Sequence, residues 1–132
     1  MNPIKQDVFA ERIRHYLRAL ERGDVEGVVA LFSPEATLYS PLLGWQAPEA
    51  FYCKLAQASG NSTITLLDLF ASTQGHRRAS AYFHYDWQLN DGSRVAFDCV
   101  DVFDFNASGL IERLVIIYDT QPIRADLGDR FR

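Results

Sequence analysis

Cysteine, basic charge and long apolar runs are all scarce in this chain. Its two cysteines, Cys53 and Cys99, have no C-x-x-C spacing, which argues against a disulfide-rich scaffold or a thiolate metal site. Both read as buried apolar residues of a reducing compartment, with a disulfide between them left open. Lys and Arg together number 13 against 17 Asp and Glu, for a formal charge of −4 and a pI near 5.3. No positive field collects phosphates, so nucleic acid is not an expected partner. No apolar run approaches the roughly 20 residues of a membrane-spanning helix, and the opening MNPIKQDVFAERIRHY lacks the apolar core and cleavage site of a secretory signal. A cytoplasmic protein with no membrane contact is the expectation. His15, His76 and His84 fall on a helix flank, in a hairpin and on an outward strand face, and form no ligand cluster. Nothing indicates a metal, nucleotide or flavin.

What is present is a balanced globular composition. The 132 residues are 48% hydrophobic and 23% charged, too apolar for intrinsic disorder. A chain this long buries about 68% of its unfolded surface, enough for one core, so a single domain over 1–132 is expected. Residues 1–60 read as its helical part, 61–121 as a four-stranded meander and 122–132 as a charged, loosely ordered tail.

Ile4, Val8, Phe9, Ile13, Tyr16, Leu17 and Leu20 recur at helical spacing, with charged residues on the other faces. This predicts an amphipathic helix from Asn2-Pro3 to Gly23. Asp24 caps a short second helix over Val25 to Phe32, stopped by Ser33-Pro34. A short strand over Ala36 to Ser40, a loop punctuated by Pro41, Gly44 and Pro48, and a third helix over Glu49 to Ala58 follow. Four β-branched and aromatic runs come next: Ser62 to Thr73, Arg78 to Leu89, Arg94 to Phe105 and Leu110 to Thr120. Glycine-bearing loops between them predict sequential hairpins. Runs of about 11 residues would span ~36 Å, so the strands must coil. The predicted fold class is α+β: a curved antiparallel sheet, cone-shaped, covered by three N-terminal helices that enclose either a solid core or a pocket.

Alternation identifies what points into the cone. Ala81, Phe83, Tyr85, Trp87 and Leu89 share one strand face, and Val95, Phe97, Cys99, Asp101, Phe103 and Phe105 share another. The last strand directs Leu114, Ile116 and Tyr118 inward. For Ser62 to Thr73 both phases are equally apolar, which leaves the direction of Asp68 open. Asp101 therefore sits alone on an apolar face, where its carboxyl must find a donor or stay protonated. Tyr16, on the apolar face of the first helix, brings a phenol toward the same interior. A Tyr–Asp hydrogen bond that merely satisfies both groups is the simpler reading. The aromatics, Trp45 and Phe51 among them, read individually as core. Tyr82, His84, Val100, Val102 and Ile117 make the opposite sheet face too apolar for open solvent, as a two-fold dimer contact would be.

The stretch Arg14 to Phe32, followed by Glu35-Ala36-Thr37-Leu38, and the phrase Val100-Asp101-Val102-Phe103-Asp104-Phe105-Asn106 with Gly109 resemble the bacterial ketosteroid isomerases of the nuclear-transport-factor-2-like superfamily. Polyketide-cyclase-like proteins are related to them. The resemblance covers nearly the whole chain. It implies that Tyr16 matches the catalytic tyrosine, Asp101 the acid kept neutral by an apolar site, and Tyr52 a tyrosine supporting the first. It also implies a homodimer. Ser40, before Pro41, occupies the position of the isomerase's aspartate base. A serine with no base behind it does not abstract a proton α to a ketone, so steroid isomerisation is not expected.

The resulting expectation is a binder of a small hydrophobic, carbonyl- or phenol-bearing molecule. Tyr16 and Asp101 donate to its oxygen, with Ser40, Tyr52, Phe83, Tyr85, Phe103 and Tyr118 around it and no cofactor or metal. Isomerase-, cyclase- or dehydratase-like chemistry would run through enolate stabilisation. The alternative is a non-catalytic ligand-binding or dimerisation module.

Overall fold

In the computed structural model, which describes residues 3–121 and side chains from residue 8 onward, Pro3–Glu21 form α1. Its apolar stripe buries Phe9, Ile13, Tyr16 and Leu17. Phe9 stacks on Phe105 of the sheet with ring centroids 4.5 Å apart, which fixes how the helix lies over the strands. Gly23 ends the helix at φ +69, a left-handed conformation that costs a glycine little. The Asp24 N–H then donates back to the Ala19 carbonyl at 3.0 Å. Asp24 caps α2 by accepting from the Gly27 N–H at 3.0 Å. The α2 helix covers only Val25–Val29, shorter than the sequence pattern predicts, and α3 covers Pro48–Ala58.

The strands are β1 (Phe32–Ser40), β2 (Gly44–Gln46), β3 (Ser59–Ala71), β4 (Arg78–Leu89), β5 (Arg94–Phe105) and β6 (Ile111–Ile117). They form one sheet in the order β2-β1-β6-β5-β4-β3. The expected four-stranded antiparallel meander is β3 to β6. The sheet as a whole is mixed, because β1 joins β6 in parallel, with Leu38 opposite Leu114. That pairing links residues distant in sequence, and no local pattern encodes it. Strand β1 also starts earlier than expected, at Phe32, despite Pro34. The β1–β6 register is broken between Phe32 and Thr37, so the missing proline N–H is not asked for. The short β2 lies in what reads as a loop.

Helices and concave sheet face enclose the core. The inward sets predicted for β4 and β5 are buried apart from Phe97, which is half-buried at the wide end with Tyr118. Strand β3 resolves the ambiguity around Asp68. A bulge between Leu66 and Asp68 shifts the register against β4, so Ser62, Ile64 and Leu66 face one way and then Leu69 takes over. Leu67, Asp68 and Phe70 are left exposed.

Two further expectations differ. Cys53 is exposed, and the two cysteines are free thiols. Trp45 does not fill the cone: it is 52% exposed at the β2 edge, where Tyr39 packs edge-on and the Arg113 guanidinium lies 5.0 Å from the ring centroid. The tail after Gln121 lies outside the described residues. No described helix is long and apolar enough to cross a membrane.

Candidate ligand-binding site

Tyr16 reaches the core from α1, Tyr52 from α3 and Asp101 from the middle of β5. All three line one cavity, with Ser40, Phe83, Tyr85, Cys99 and Tyr118. The cavity has ≈ 50 Å³ of free volume, room for a few water molecules. Of the eight candidate residues the sequence nominates, seven line it. Phe103 does not: it is fully buried beneath Tyr16, ring centroids 5.1 Å apart and edge-on, and so supports the phenol instead of facing the space.

Asp101 is 2% exposed. Its cross-strand neighbours are Ala81 and Ile116, so the sheet supplies no counter-charge beside it. Burial accordingly raises its pKa to about 7, and a hydrogen bond from the Cys99 thiol to Oδ1, at 3.1 Å, opposes that rise. Cys99 is the site residue whose role the sequence reading misses, since it counts only as apolar filling. Its spacing, two residues before Asp101 on the same strand face, is the signal that would have found it.

No hydrogen bond joins Tyr16 to Asp101 among the described residues, so the simpler reading of a mutually satisfied pair does not apply. The Tyr16 and Tyr52 hydroxyls bond to each other. Burial holds both phenols well above their ordinary pKa, and the nearby Asp101 carboxyl adds to the effect. Burial also raises Tyr85 to about 12 and pushes Tyr118 up, tempered by the Ser62 and Ser40 hydroxyls respectively. Every phenol lining this cavity thus stays protonated near neutrality and is able to donate.

Among the described residues no other carboxylate reaches the cavity. Asp98 faces outward against His84 at 2.8 Å, Asp104 against Arg78 at 2.5 Å, Asp68 bonds its own neighbour's N–H, and Asp119 is exposed. Ser40 Oγ accepts from the Leu42 N–H at 3.4 Å. Among the described residues no His, Cys, Asp and Glu gather as metal ligands.

Residues 13–114 match the family model of the SnoaL-like domain. The chain belongs to the SnoaL-like family. Its fold is shared with solved structures of low sequence identity. The epoxide hydrolase/cyclase-like enzyme SalBIII, described in pyran ring formation in the polyether salinomycin, is 22% identical with a TM-score of 0.75, over 89% of this chain and 95% of that one. AclR from Streptomyces galilaeus, a candidate hydroxylase, is 17% identical with a TM-score of 0.72, over 91% and 80%. A nuclear-transport-factor-2-like protein of unknown function from Exiguobacterium sp. 255-15 is 19% identical with a TM-score of 0.70, over 82% and 98%. No curated protein matches significantly. The fold of this SnoaL-like chain is the nuclear-transport-factor-2-like α+β cone.

Proposed function

We propose that this SnoaL-like protein binds a small hydrophobic molecule through a carbonyl or phenol oxygen, with Tyr16 and Asp101 as donors and Tyr52 holding the Tyr16 hydroxyl. One observation carries the reading: an acid that burial keeps half-protonated near pH 7 shares an apolar cavity with phenols that stay protonated. Donors fixed in a dry site stabilise an oxygen that gains negative charge, and an acid with a pKa near the working pH delivers its proton efficiently. Asp101 is the only carboxyl group lining the cavity among the described residues. That favours chemistry needing one proton donor, such as ring closure or dehydration, over an enolisation that needs a separate base. The cyclase-like description of SalBIII supports the same direction.

Titration with a phenol, a stand-in for an oxyanion-forming ligand, tests the site in wild type, Tyr16→Phe and Asp101→Ala, since an asparagine amide would keep a donor there. Loss of one donor bond to a developing charge should weaken binding by about tenfold or more. Equal affinity in all three removes the proposed oxygen site.

The lack of a second base also favours the other reading, a non-catalytic binding module. Acid-assisted ring closure of a hydroxy-epoxide, faster in wild type than in buffer or in Asp101→Asn, separates the two, and deuterium exchange α to the carbonyl of cyclic ketones tests the donors alone. If wild type exchanges no faster than buffer and Ser40→Asp gains exchange, the donors are competent and only the base is absent. For assembly, the proposed state is a homodimer through the outer sheet face, supported by the half-buried Tyr82, His84, Val100 and Val102 and the exposed Ile117 there.

A further inference from the structure

A second cavity, of ≈ 80 Å³, lies at the end of α1. It is bounded by the α1–α2 turn at Arg22 and Asp24, by Ala56 of α3 and by Asn61 and Ser62 at the start of β3. Leu20, Tyr52, Leu55 and Tyr85 line both cavities and so form a common wall. Tyr52 is anchored by its bond to Tyr16, whereas Leu20 and Leu55 are partly buried apolar side chains with no hydrogen bond to break if they turn aside.

Size makes the second cavity matter. Sites for drug-sized ligands usually enclose roughly 300–1,000 Å³, far more than the inner cavity offers. The inner cavity admits the oxygen-bearing end of a ligand, and the remainder needs adjoining space. The chemistry of the outer cavity differs too. Ser62 Oγ is buried there, and its contact with the Tyr85 hydroxyl falls short of good hydrogen-bond geometry, which leaves it capacity to bond a ligand. The Glu21 carboxylate is engaged by the Ile64 N–H at 2.7 Å and that of Asp24 by the Gly27 N–H at 3.0 Å. Two carboxylates against the single Arg22 guanidinium disfavour an anionic group, so an uncharged polar group fits better.

We propose that the two cavities act as one site for an elongated ligand, its carbonyl or phenol end at Tyr16 and Asp101 and an uncharged hydroxyl at its far end bonded to Ser62. This rests on the oxygen-site reading above and adds the shape and second functional group of the ligand. Three probes test it: para-cresol, para-hexylphenol, and the same hexylphenol with a terminal hydroxyl. Wild type should bind the hydroxylated chain at least about tenfold more tightly than para-cresol. Ala56→Trp, on an exposed helix position that lines only the outer cavity, should erase that gain and leave para-cresol affinity unchanged. The smaller Ala56→Leu should erase part of it. Ser62→Ala should remove the preference for the hydroxylated over the plain chain. A chain gain that survives Ala56→Trp, or hydroxyl preference that survives Ser62→Ala, overturns the two-cavity site. A gain lost in Ala56→Trp but indifferent to Tyr16→Phe and Asp101→Ala would leave the outer cavity standing and sink the oxygen site. No binding of any probe removes both.

Discussion

Asp101 stands apart in the core because nothing beside it on the sheet bears charge. Its ordinary pKa of 3.8 rises to about 7 in the fold, so between those pH values the native protein holds a proton that the unfolded chain has released. The contribution of Asp101 to stability is therefore full below pH 4, falls as pH climbs to about 7 and then levels. The gap corresponds to roughly 4 kcal/mol. Urea denaturation across pH should show wild type losing a few kcal/mol relative to Asp101→Asn over that interval, and parallel curves would contradict a buried acid. The Cys99 thiol stabilises the carboxylate form, so Cys99→Ala should move the fall to higher pH, whereas Cys99→Ser, which keeps a donor, should restore it. Affinity for an uncharged cyclic ketone should decline above about pH 7 in wild type and stay flat in Asp101→Asn, read by calorimetry at several pH values.

At the scale of elements, local pattern and long-range pairing divide what sequence makes legible. Strands β4 and β5 match their predicted bounds because strict alternation fills both faces and glycine-bearing turns end them. Asp101 was legible for the same reason, as one carboxylate out of place in a clean alternation. Strand β3 resisted, since a bulge at Leu67 switches the inward phase halfway and leaves both phases equally apolar when read straight through. The β1–β6 pairing, the size of the cavity and its partition by Leu20 and Leu55 depend on how distant elements meet. The role of Tyr52 came only with the family resemblance. The bulge has a measurable consequence. Phe70 is 51% exposed and Leu69 partly buried against the core, so Phe70→Ser should alter stability by no more than about 0.5 kcal/mol while Leu69→Ser costs more than about 1 kcal/mol. Uninterrupted alternation from Leu66 predicts the reverse order.

At the scale of the whole molecule, the sheet has two faces with different tasks. The concave one is committed to the helices and cavities. On the convex one, ion pairs between Arg78 and Asp104 and between Arg94 and Asp86, and a hydrogen bond between His84 and Asp98, lie across β4 and β5. Between the Arg78–Asp104 and His84–Asp98 pairs, the rungs Ser80–Val102 and Tyr82–Val100 carry no charge, and Ile117 extends this stretch onto β6 opposite Val100. Such a stretch is self-complementary about a two-fold axis, and the polar groups at its ends already have partners in Arg78–Asp104 and His84–Asp98, so a second copy would meet uncharged surface between them. Sedimentation should therefore give about twice the 15.0 kDa chain mass. Val100→Glu with Ile117→Glu should yield monomers that keep para-cresol affinity, since neither residue lines the inner cavity. A wild type that sediments as a monomer at all concentrations would mean that these strands tolerate an apolar outer face without covering it.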